Sequence, residues 1–290
     1  MKGSTYSRCG KAFYSILAAG ALVWLGAVFQ GQAQLILTDG NSEARLDPTS
    51  QLGMYYWAVQ NTPSTFQNQL NKQWFWYRVG TSGPEASIDT ISAPVITDLT
   101  ASTVTTTYYD SLSRFNVGVK YSLVGGSADS GTADITEQIT VNNTSGSVLN
   151  YHFYQYSDFN MGGDGANDFV LLSRNGFTFR FNQVDQADGA NIVEVVATPN
   201  ANHGEADVVP NTINKLNDPF PTILDDSKTN AFGDVAWALE WDVNIGVGSS
   251  YIISKDKHLD VVFTPEPGFL ALIPLGLGLC AYYRRRRQRG

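Results

Sequence analysis

Residues 115–123 read FNVGVKYSL, and residues 237–245 read WALEWDVNI. In both stretches a large apolar side chain occupies every second position, and small, polar or charged side chains occupy the positions between. This period of two is typical of an antiparallel strand with one buried face and one wet face. The two stretches therefore predict an all-β protein.

The same alternation extends outward to residues 135–141, where Glu137 is the one polar intrusion on the apolar face, and to residues 177–181. Further strand candidates are rich in aromatic and β-branched residues, at 52–60, 72–79, 102–109, 147–157, 168–173, 191–197 and 250–263. Glycine- and asparagine-rich turns separate neighbouring candidates, as at residues 125–131 and 142–146. We expect a single antiparallel two-sheet β-sandwich, jelly-roll-like, over residues 34–263.

Two segments of this body depart from the strand pattern. Residues 211–217 (NTINKLN) predict one or two helical turns at most. Residues 198–230 contain four prolines and few apolar side chains, which indicates a long surface excursion.

The charge of the chain is unevenly distributed along its 290 residues. Residues 34–264 hold 11 basic and 26 acidic side chains, so this body would repel phosphate backbones and nucleic-acid binding is not expected. The two cysteines, Cys9 and Cys280, lie near the ends. The body therefore has no disulfide and no thiolate nucleophile or metal ligand.

The first 33 residues have the order of a secretory signal peptide. A basic stretch ends at Lys11, the apolar run 12–29 follows, and Gly31 and Ala33 then place small residues at the two positions that a signal peptidase must accommodate. This order predicts cleavage by signal peptidase near Ala33. The alternative is an uncleaved anchor, since 18 apolar residues come close to spanning a bilayer.

The C-terminal end, residues 264–290, has three ordered elements. Pro265-Glu266-Pro267 is followed by the apolar stretch 268–283, which predicts a short transmembrane helix. A basic cluster then predicts a stop-transfer signal that stays on the cytoplasmic side, formed by Arg284, Arg285, Arg286 and Arg287. An ordinary single-span anchor that happens to follow Pro-Glu-Pro is the alternative.

This combination resembles the PEP-CTERM sorting tail of bacterial exosortase substrates, over about residues 264–290. The resemblance implies that Pro265, Glu266 and Pro267 are recognised by a membrane-embedded exosortase, which processes the tail. It also implies a Gram-negative host, transient anchoring in the inner membrane, and a final place at the cell surface or in the extracellular matrix. It assigns the chain no activity.

Residues 73–78 (QWFWYR) form the densest aromatic stretch of the chain. On a strand, Trp74 and Trp76 point to the same face, where they would make a stacking platform for sugar rings. Large aromatic side chains more often fill a core, and we favour that interpretation.

Residues 157–168 form an oxygen-rich, glycine-containing loop. Such loops suit Ca²⁺, and the predicted ligands are Asp158, Asn160, Asp164, Asn167 and Asp168. The loop does not match the EF-hand pattern, and Asp/Asn/Gly loops are commonly turns that cap strands.

The sequence has no Gly-x-Ser-x-Gly elbow, His-Glu-x-x-His helix, phosphate-binding loop or dinucleotide-binding fingerprint. His152 lies in an aromatic strand and favours a structural role, His258 is expected to be exposed, and His203-x-Glu205-x-Asp207 either holds a metal or is a solvated loop. We expect a non-enzymatic surface or matrix protein with a structural or glycan-adhesion role. The alternative is a polysaccharide-active lyase or glycosidase, which requires carboxylates or a Tyr/Arg/His group to converge at one site.

Overall fold

The computed structural model describes residues 34–62, 65–175 and 178–261. The signal peptide, Pro265-Glu266-Pro267, the apolar stretch 268–283 and the arginine cluster lie outside the described residues. Within the described part of the chain, no helix has the length and apolar character needed to cross a membrane.

Eighteen strands form most of the body. The first nine are Leu35–Asp39 (β1), Ser42–Asp47 (β2), Gly53–Thr62 (β3), Thr65–Asn68 (β4), Leu70–Val79 (β5), Ala86–Ser87 (β6), Val95–Thr97 (β7), Thr103–Tyr109 (β8) and Phe115–Gly125 (β9). The second nine are Thr132–Asn143 (β10), Leu149–Phe159 (β11), Asp168–Asn175 (β12), Thr178–Asp185 (β13), Asn191–Thr198 (β14), His203–Val208 (β15), Asn230–Gly233 (β16), Val235–Ile245 (β17) and Ser250–Asp260 (β18). One α-helix, Asn211–Leu216 (α1), and two 3-10 turns, Ile88–Thr90 and Met161–Gly163, complete the described elements.

The strands form two nine-stranded sheets. Sheet A has the order β1-β2-β3-β5-β11-β17-β15, with β4 beside β3 and β6 beside β5. Sheet B has the order β16-β12-β13-β14-β18-β10-β9-β8-β7. Pairing is antiparallel apart from a short parallel contact between β3 and β5. The predicted all-β, two-sheet architecture is confirmed.

The core lies between the two sheets. Phe75 of sheet A packs against Tyr121 of sheet B at a ring-centroid distance of 6.5 Å, and Trp237 stacks on Phe181 at 5.5 Å. The apolar positions of the alternating stretches, such as Val119, are buried as predicted. The alternation therefore identifies the inner face of each sheet.

Two finer predictions are wrong. A jelly roll has eight strands in two Greek keys, whereas each sheet here has nine strands, with runs of sequential neighbours such as β7 to β10. The excursion at residues 198–230 is also not purely a surface loop, because its residues His203–Val208 form β15 and pair with β17. Helix α1 agrees with the predicted one or two turns at residues 211–217.

Four charged side chains lie between the sheets, and we call Glu137, Glu194, Lys255 and Lys257 the interior cluster. Glu137 is directly opposite Lys255 on the neighbouring strand, and Glu194 is directly opposite Lys257. Lys257 Nζ is 2.9 Å from Glu137 Oε1 and 3.3 Å from Glu194 Oε1, and Lys255 Nζ also contacts Glu137. All four side chains are inaccessible to solvent.

Residues 209–229, which we call the covering segment, pass over the outer face of sheet A. The indole N–H of Trp76 donates to Asn217 Oδ1 at 3.1 Å, and the Tyr154 hydroxyl donates to the carbonyl oxygen of Thr222 at 3.0 Å. These bonds fix the segment over the outer face.

Candidate functional site

Strand register brings polar side chains together on the outer face of sheet A. His203, Glu240 and Tyr154 lie directly opposite one another across β15, β17 and β11. In the adjacent row, Asp242 lies opposite His152. Side chains directly opposite each other in an antiparallel pair point to the same face. We call His152, His203, Glu240 and Asp242, with Asp226 of the covering segment, the outer-face cluster.

His152 is held between two partners. Its Nδ1 contacts Asp242 Oδ1, and its Nε2 lies 3.2 Å from Asn150 Oδ1. The side chain is mostly buried, whereas the side chain of Asp242 is about one-third exposed, at 32%. The imidazole is therefore fixed in orientation at the inner end of a group that opens to solvent.

His203 links the cluster to the covering segment. Its Nδ1 is 2.9 Å from Asp226 Oδ2, and its Nε2 is 3.9 Å from Asp242 Oδ2. The other oxygen of Asp226 accepts the backbone N–H of Gly204 at 3.0 Å. Asp242 thus lies between two imidazoles, and Asp226 orients the outer one.

Glu240 is the buried member of the cluster, with no solvent exposure. Its Oε2 accepts the backbone N–H of Leu224 at 2.8 Å, and among the described residues its Oε1 has no hydrogen-bond partner of good geometry. Burial raises the pKa of Glu240 to about 7, opposed by the Leu224 bond and by the nearby Tyr154 hydroxyl and reinforced by the charge of Asp242. One carboxylate oxygen is therefore anchored, and the other has capacity for a further hydrogen bond or ligand.

A second set of contacts supports the cluster from the side of β5. Arg78 Nε is 3.0 Å from Glu85 Oε1, and Arg78 Nη2 donates to the Tyr154 hydroxyl at 3.2 Å. Glu85 Oε1 also accepts the backbone N–H of Thr222 at 3.0 Å. Arg78, Glu85 and Tyr154 are all buried, so this side of the cluster is rigid.

Within the described residues, one group of three His or carboxylate side chains has ligand atoms that all lie within 4.8 Å of one another: His152, Glu240 and Asp242. Imidazole and carboxylate groups this close together can exchange protons, hydrogen-bond hydroxyl groups or hold a cation. The convergence that would mark a chemically active site is therefore present at this face.

The stacking platform predicted at Trp74 and Trp76 is not formed. Both indoles are buried, with exposed fractions of 1% and 0%. Trp74 Nε1 donates to Ser87 Oγ at 2.8 Å, and Trp76 is covered by the segment that contains Asn217. Neither ring offers an open face to a sugar, and the alternative of a packing role is the one observed.

The predicted calcium ligands fall on different sheets. Asp158 on β11 accepts hydrogen bonds from Asn71 and Tyr156, and Asp168 on β12 accepts hydrogen bonds from Met161 N and Gln183 Nε2. Burial raises the pKa of Asp158 to about 6 and that of Asp168 to about 7.

The remaining ligands serve the connection between these strands. Asp164 caps an exposed turn at Ala166, and the carbonyl of Asn167 accepts the N–H of Gln186. Asn160 Oδ1 is buried without a partner. The three aspartates do not form a group of the kind found at His152, and calcium binding at this loop stays a prediction.

His203, Glu205 and Asp207 lie on strand β15 rather than in a solvated loop, and each side chain contacts different residues. Glu205 is buried and accepts hydrogen bonds from Thr212 and Lys215, while Asp207 pairs with Lys228. Only His203 of the three enters the outer-face cluster. His258 is exposed, as expected, and pairs with Asp134 at 2.8 Å.

Glu240 and Asp242 were predicted only as the wet side of an alternating strand. Both side chains lie on the same face of the sheet as His152. This proximity could not be predicted from the sequence, because it depends on the pairing of β11 with β17. Asp226 gives no periodic signal, because it lies in the covering segment.

A second open surface lies on the outer face of sheet B. A groove of about 570 Å³ is lined mainly by hydroxyl and amide side chains of β8, β9 and β10, among them Thr107, Gln138 and Thr140. Tyr109, half-exposed, and Gly118 are among the lining residues. This groove has hydrogen-bonding groups but no convergent imidazole and carboxylate set.

No protein-family model matches the chain, and no curated protein matches it. Among solved structures, a bacterial glucoamylase in complex with acarbose superposes with a TM-score of 0.53 at 10% identity, over 83% of this chain and 34% of that chain. A polysaccharide lyase superposes with a TM-score of 0.50 at 15% identity, over 78% of this chain and 34% of that chain.

A galactose mutarotase related enzyme from Lactobacillus acidophilus gives a TM-score of 0.49 at 7% identity, over 79% of this chain and 100% of that chain. This chain spans about one-third of the length of the glucoamylase and of the lyase. At these identities the similarity concerns the fold: the body has a two-sheet architecture that also occurs in carbohydrate-active proteins.

Proposed function

We propose that the chain is an exported protein that binds a saccharide at the outer-face cluster and is active on it as a lyase or glycosidase. The observation that carries this proposal is the convergence of His152, Glu240 and Asp242 at a point where Asp242 and His203 reach solvent. A rigid, charged group open on one side is the arrangement expected of a binding or catalytic site.

A saccharide fits this cluster better than an anionic ligand does. The carboxylates of Asp226 and Asp242 repel phosphate and accept hydrogen bonds from neutral hydroxyl groups. The fold similarity to a glucoamylase bound to acarbose and to a polysaccharide lyase supports the same ligand class. For hydrolysis, Glu240 and Asp242 are the two carboxylates that lie close together, and a retaining glycosidase uses such a pair as acid and nucleophile.

Adhesion without catalysis is the second candidate, and the groove on sheet B favours it. Hydroxyl and amide groups beside the half-exposed Tyr109 are the kind of surface that binds a glycan chain by hydrogen bonds and ring contacts. The two candidates place the saccharide on opposite outer faces of the sandwich, so single substitutions distinguish them.

The test is a glycan array followed by a polysaccharide-degradation screen, with wild type, Asp242→Asn and Tyr109→Ala compared. If the cluster is the site, Asp242→Asn weakens saccharide binding by roughly 10- to 100-fold, since it removes charged hydrogen bonds, and Tyr109→Ala binds normally. The opposite pattern supports adhesion at the groove. Absence of glycan binding and of degradation in wild type contradicts both candidates.

We also propose that residues 1–33 direct export and that residues 264–290 are the sorting tail processed by an exosortase. The order of Pro265-Glu266-Pro267, the apolar stretch 268–283 and the arginine cluster supports this proposal. Replacing Pro265, Glu266 and Pro267 by alanine is expected to leave export intact and to stop processing of the tail. Mass spectrometry of the exported protein checks this, and a mature mass that differs from wild type only by the substitutions contradicts it.

A further inference from the structure

The hydrogen bonds around His152 show which atoms face its two nitrogens. Asn150 Nδ2 donates to Asn244 Oδ1 at 3.0 Å, so its Oδ1 is the atom that faces His152 Nε2. Nδ1 contacts Asp242 Oδ1. Either a proton on Nδ1 or a bound cation satisfies this contact between the imidazole and the carboxylate.

His203 presents the same arrangement from the other side of Asp242. Its Nδ1 faces the carboxylate of Asp226 at 2.9 Å and donates to it. The lone pair of Nε2 then faces Asp242 Oδ2 at 3.9 Å. A carboxylate that orients a histidine in this way is the usual outer-shell partner of a metal-binding imidazole.

Glu240 supplies an independent observation. The residue is fully buried, and within the described part of the chain its Oε1 has no hydrogen-bond partner of good geometry, although burial of an unpaired carboxylate oxygen is costly. Oε2 is anchored by Leu224 N, so the carboxylate cannot turn away freely. Its ligand atom lies within 4.8 Å of those of His152 and Asp242.

We propose that the outer-face cluster binds one divalent first-row transition-metal ion, held by His152, Glu240 and Asp242 with His203 as the fourth ligand. Mixed imidazole and carboxylate donors suit Zn²⁺ and its neighbours, whereas Ca²⁺ prefers oxygen ligands alone. A tetrahedral Zn²⁺ ion with bonds of about 2.1 Å holds its ligand atoms about 3.4 Å apart. The ligand atoms of His152, Glu240 and Asp242 lie within 4.8 Å of one another, and His203 Nε2 lies 3.9 Å from Asp242 Oδ2.

The exposed fractions of His203 and Asp242, each 32%, give the ion a route from solvent. The use of the ion rests on the proposed function, in which it would polarise a saccharide oxygen at the same cluster. Metal binding itself is measured without saccharide, so failure of one proposal does not decide the other.

The experiment uses the full chain, purified in detergent without a histidine tag and stripped of metal with a chelator. Calorimetric titration with Zn²⁺ is expected to show one ion bound per chain. Co²⁺ in place of Zn²⁺ gives visible absorption bands whose intensity reports four- or five-coordination, and this readout needs no variant.

Three variants and one control assign the ligands. His152→Ala and Asp242→Asn are expected to weaken Zn²⁺ binding by at least about 100-fold, and Asp226→Asn, which removes only the orienting carboxylate, by about 10- to 100-fold. The control is His258→Ala, because His258 also pairs with an aspartate, Asp134, but lies on sheet B, away from the group of His152, Glu240 and Asp242. This control is expected to bind Zn²⁺ as wild type does.

Thermal melting of each metal-free variant shows whether it is folded. The proposal is overturned if wild type binds no stoichiometric Zn²⁺, if folded His152→Ala or Asp242→Asn binds as wild type does, or if His258→Ala loses binding to the same extent.

Discussion

The interior cluster and the outer-face cluster are made of similar side chains, but their charges are balanced differently. Between the sheets, Glu137 and Glu194 are matched by Lys255 and Lys257, and Gln155 and Trp237 donate further hydrogen bonds to Glu194. On the outer face, three carboxylates meet two histidines, and no lysine or arginine of the described ranges pairs with any of the three.

This difference separates a structural group from a functional one. The interior cluster has as many cations as anions and is closed to water. The outer-face cluster has excess negative charge and an opening to solvent. Ionisable residues alone therefore do not indicate a site, and the useful criteria are charge balance and access.

The largest expected effect comes from breaking the balance of the interior cluster. Glu137→Ala leaves Lys255 and Lys257 with one carboxylate between them and is expected to lower the free energy of unfolding by about 3–5 kcal/mol. Denaturant unfolding of the purified protein measures this.

The matched control is Asp134→Ala on the same strand, since Asp134 makes an exposed pair with His258. We expect its free energy of unfolding to stay within about 0.5 kcal/mol of wild type. Equal effects of the two substitutions would show that burial and balance do not distinguish these pairs.

The pH dependence of stability gives the next largest effect. Burial tends to raise the pKa of Glu137, but the charges of Lys255 and Lys257 outweigh it and lower the pKa below its usual value of 4.5. The stability that this carboxylate contributes is therefore complete above pH 4.5 and is lost as pH falls through its lowered pKa.

The double variant Glu137→Met/Lys255→Met removes this titration and leaves Glu194 paired with Lys257. We expect its stability to match or exceed that of wild type at pH 7, and to fall by roughly 2 kcal/mol less than wild type between pH 7 and pH 3. Melting curves across this range measure the difference. Parallel curves for the two proteins would mean that Glu137 does not titrate as its surroundings predict.

The smallest expected effect concerns the hydrogen bonds that hold the covering segment beside the outer-face cluster. Trp76→Phe removes the bond from the indole N–H to Asn217 and is expected to cost about 1 kcal/mol, far less than a broken interior pair. Denaturant unfolding measures the cost. Because Trp76 is buried, saccharide binding by this variant should be unchanged, and a large loss of binding would restore the stacking role of this ring.

Sequence periodicity predicted the strands whose two faces differ most. Residues 115–123 and 237–245 alternate strictly, so the inner faces of β9 and β17 follow from the sequence. Lys255 and Lys257 show the limit of this rule. They alternate with polar residues, and their burial depends on Glu137, 118 residues from Lys255 along the chain.

The outer-face cluster was missed for a related reason. Periodicity places Glu240 and Asp242 on one face of their strand, but it does not show which strand lies beside it. His152 joins them only through the pairing of β11 with β17, and His203 joins only because residues interpreted as a loop form an edge strand. Non-local register, rather than local preference, assembles the site.

The position of β18 in sheet B also determines when the body can be completed. This strand comes last among the described elements, yet it lies between β14 and β10 and carries both interior lysines. A chain synthesised from its N-terminus therefore keeps two incomplete half-sheets, with Glu137 and Glu194 unmatched, until residues 250–260 emerge. Strand β18, the described element nearest the proposed sorting tail, therefore completes sheet B. A product truncated before β18 should be degraded by quality-control proteases rather than persist as a shortened functional domain.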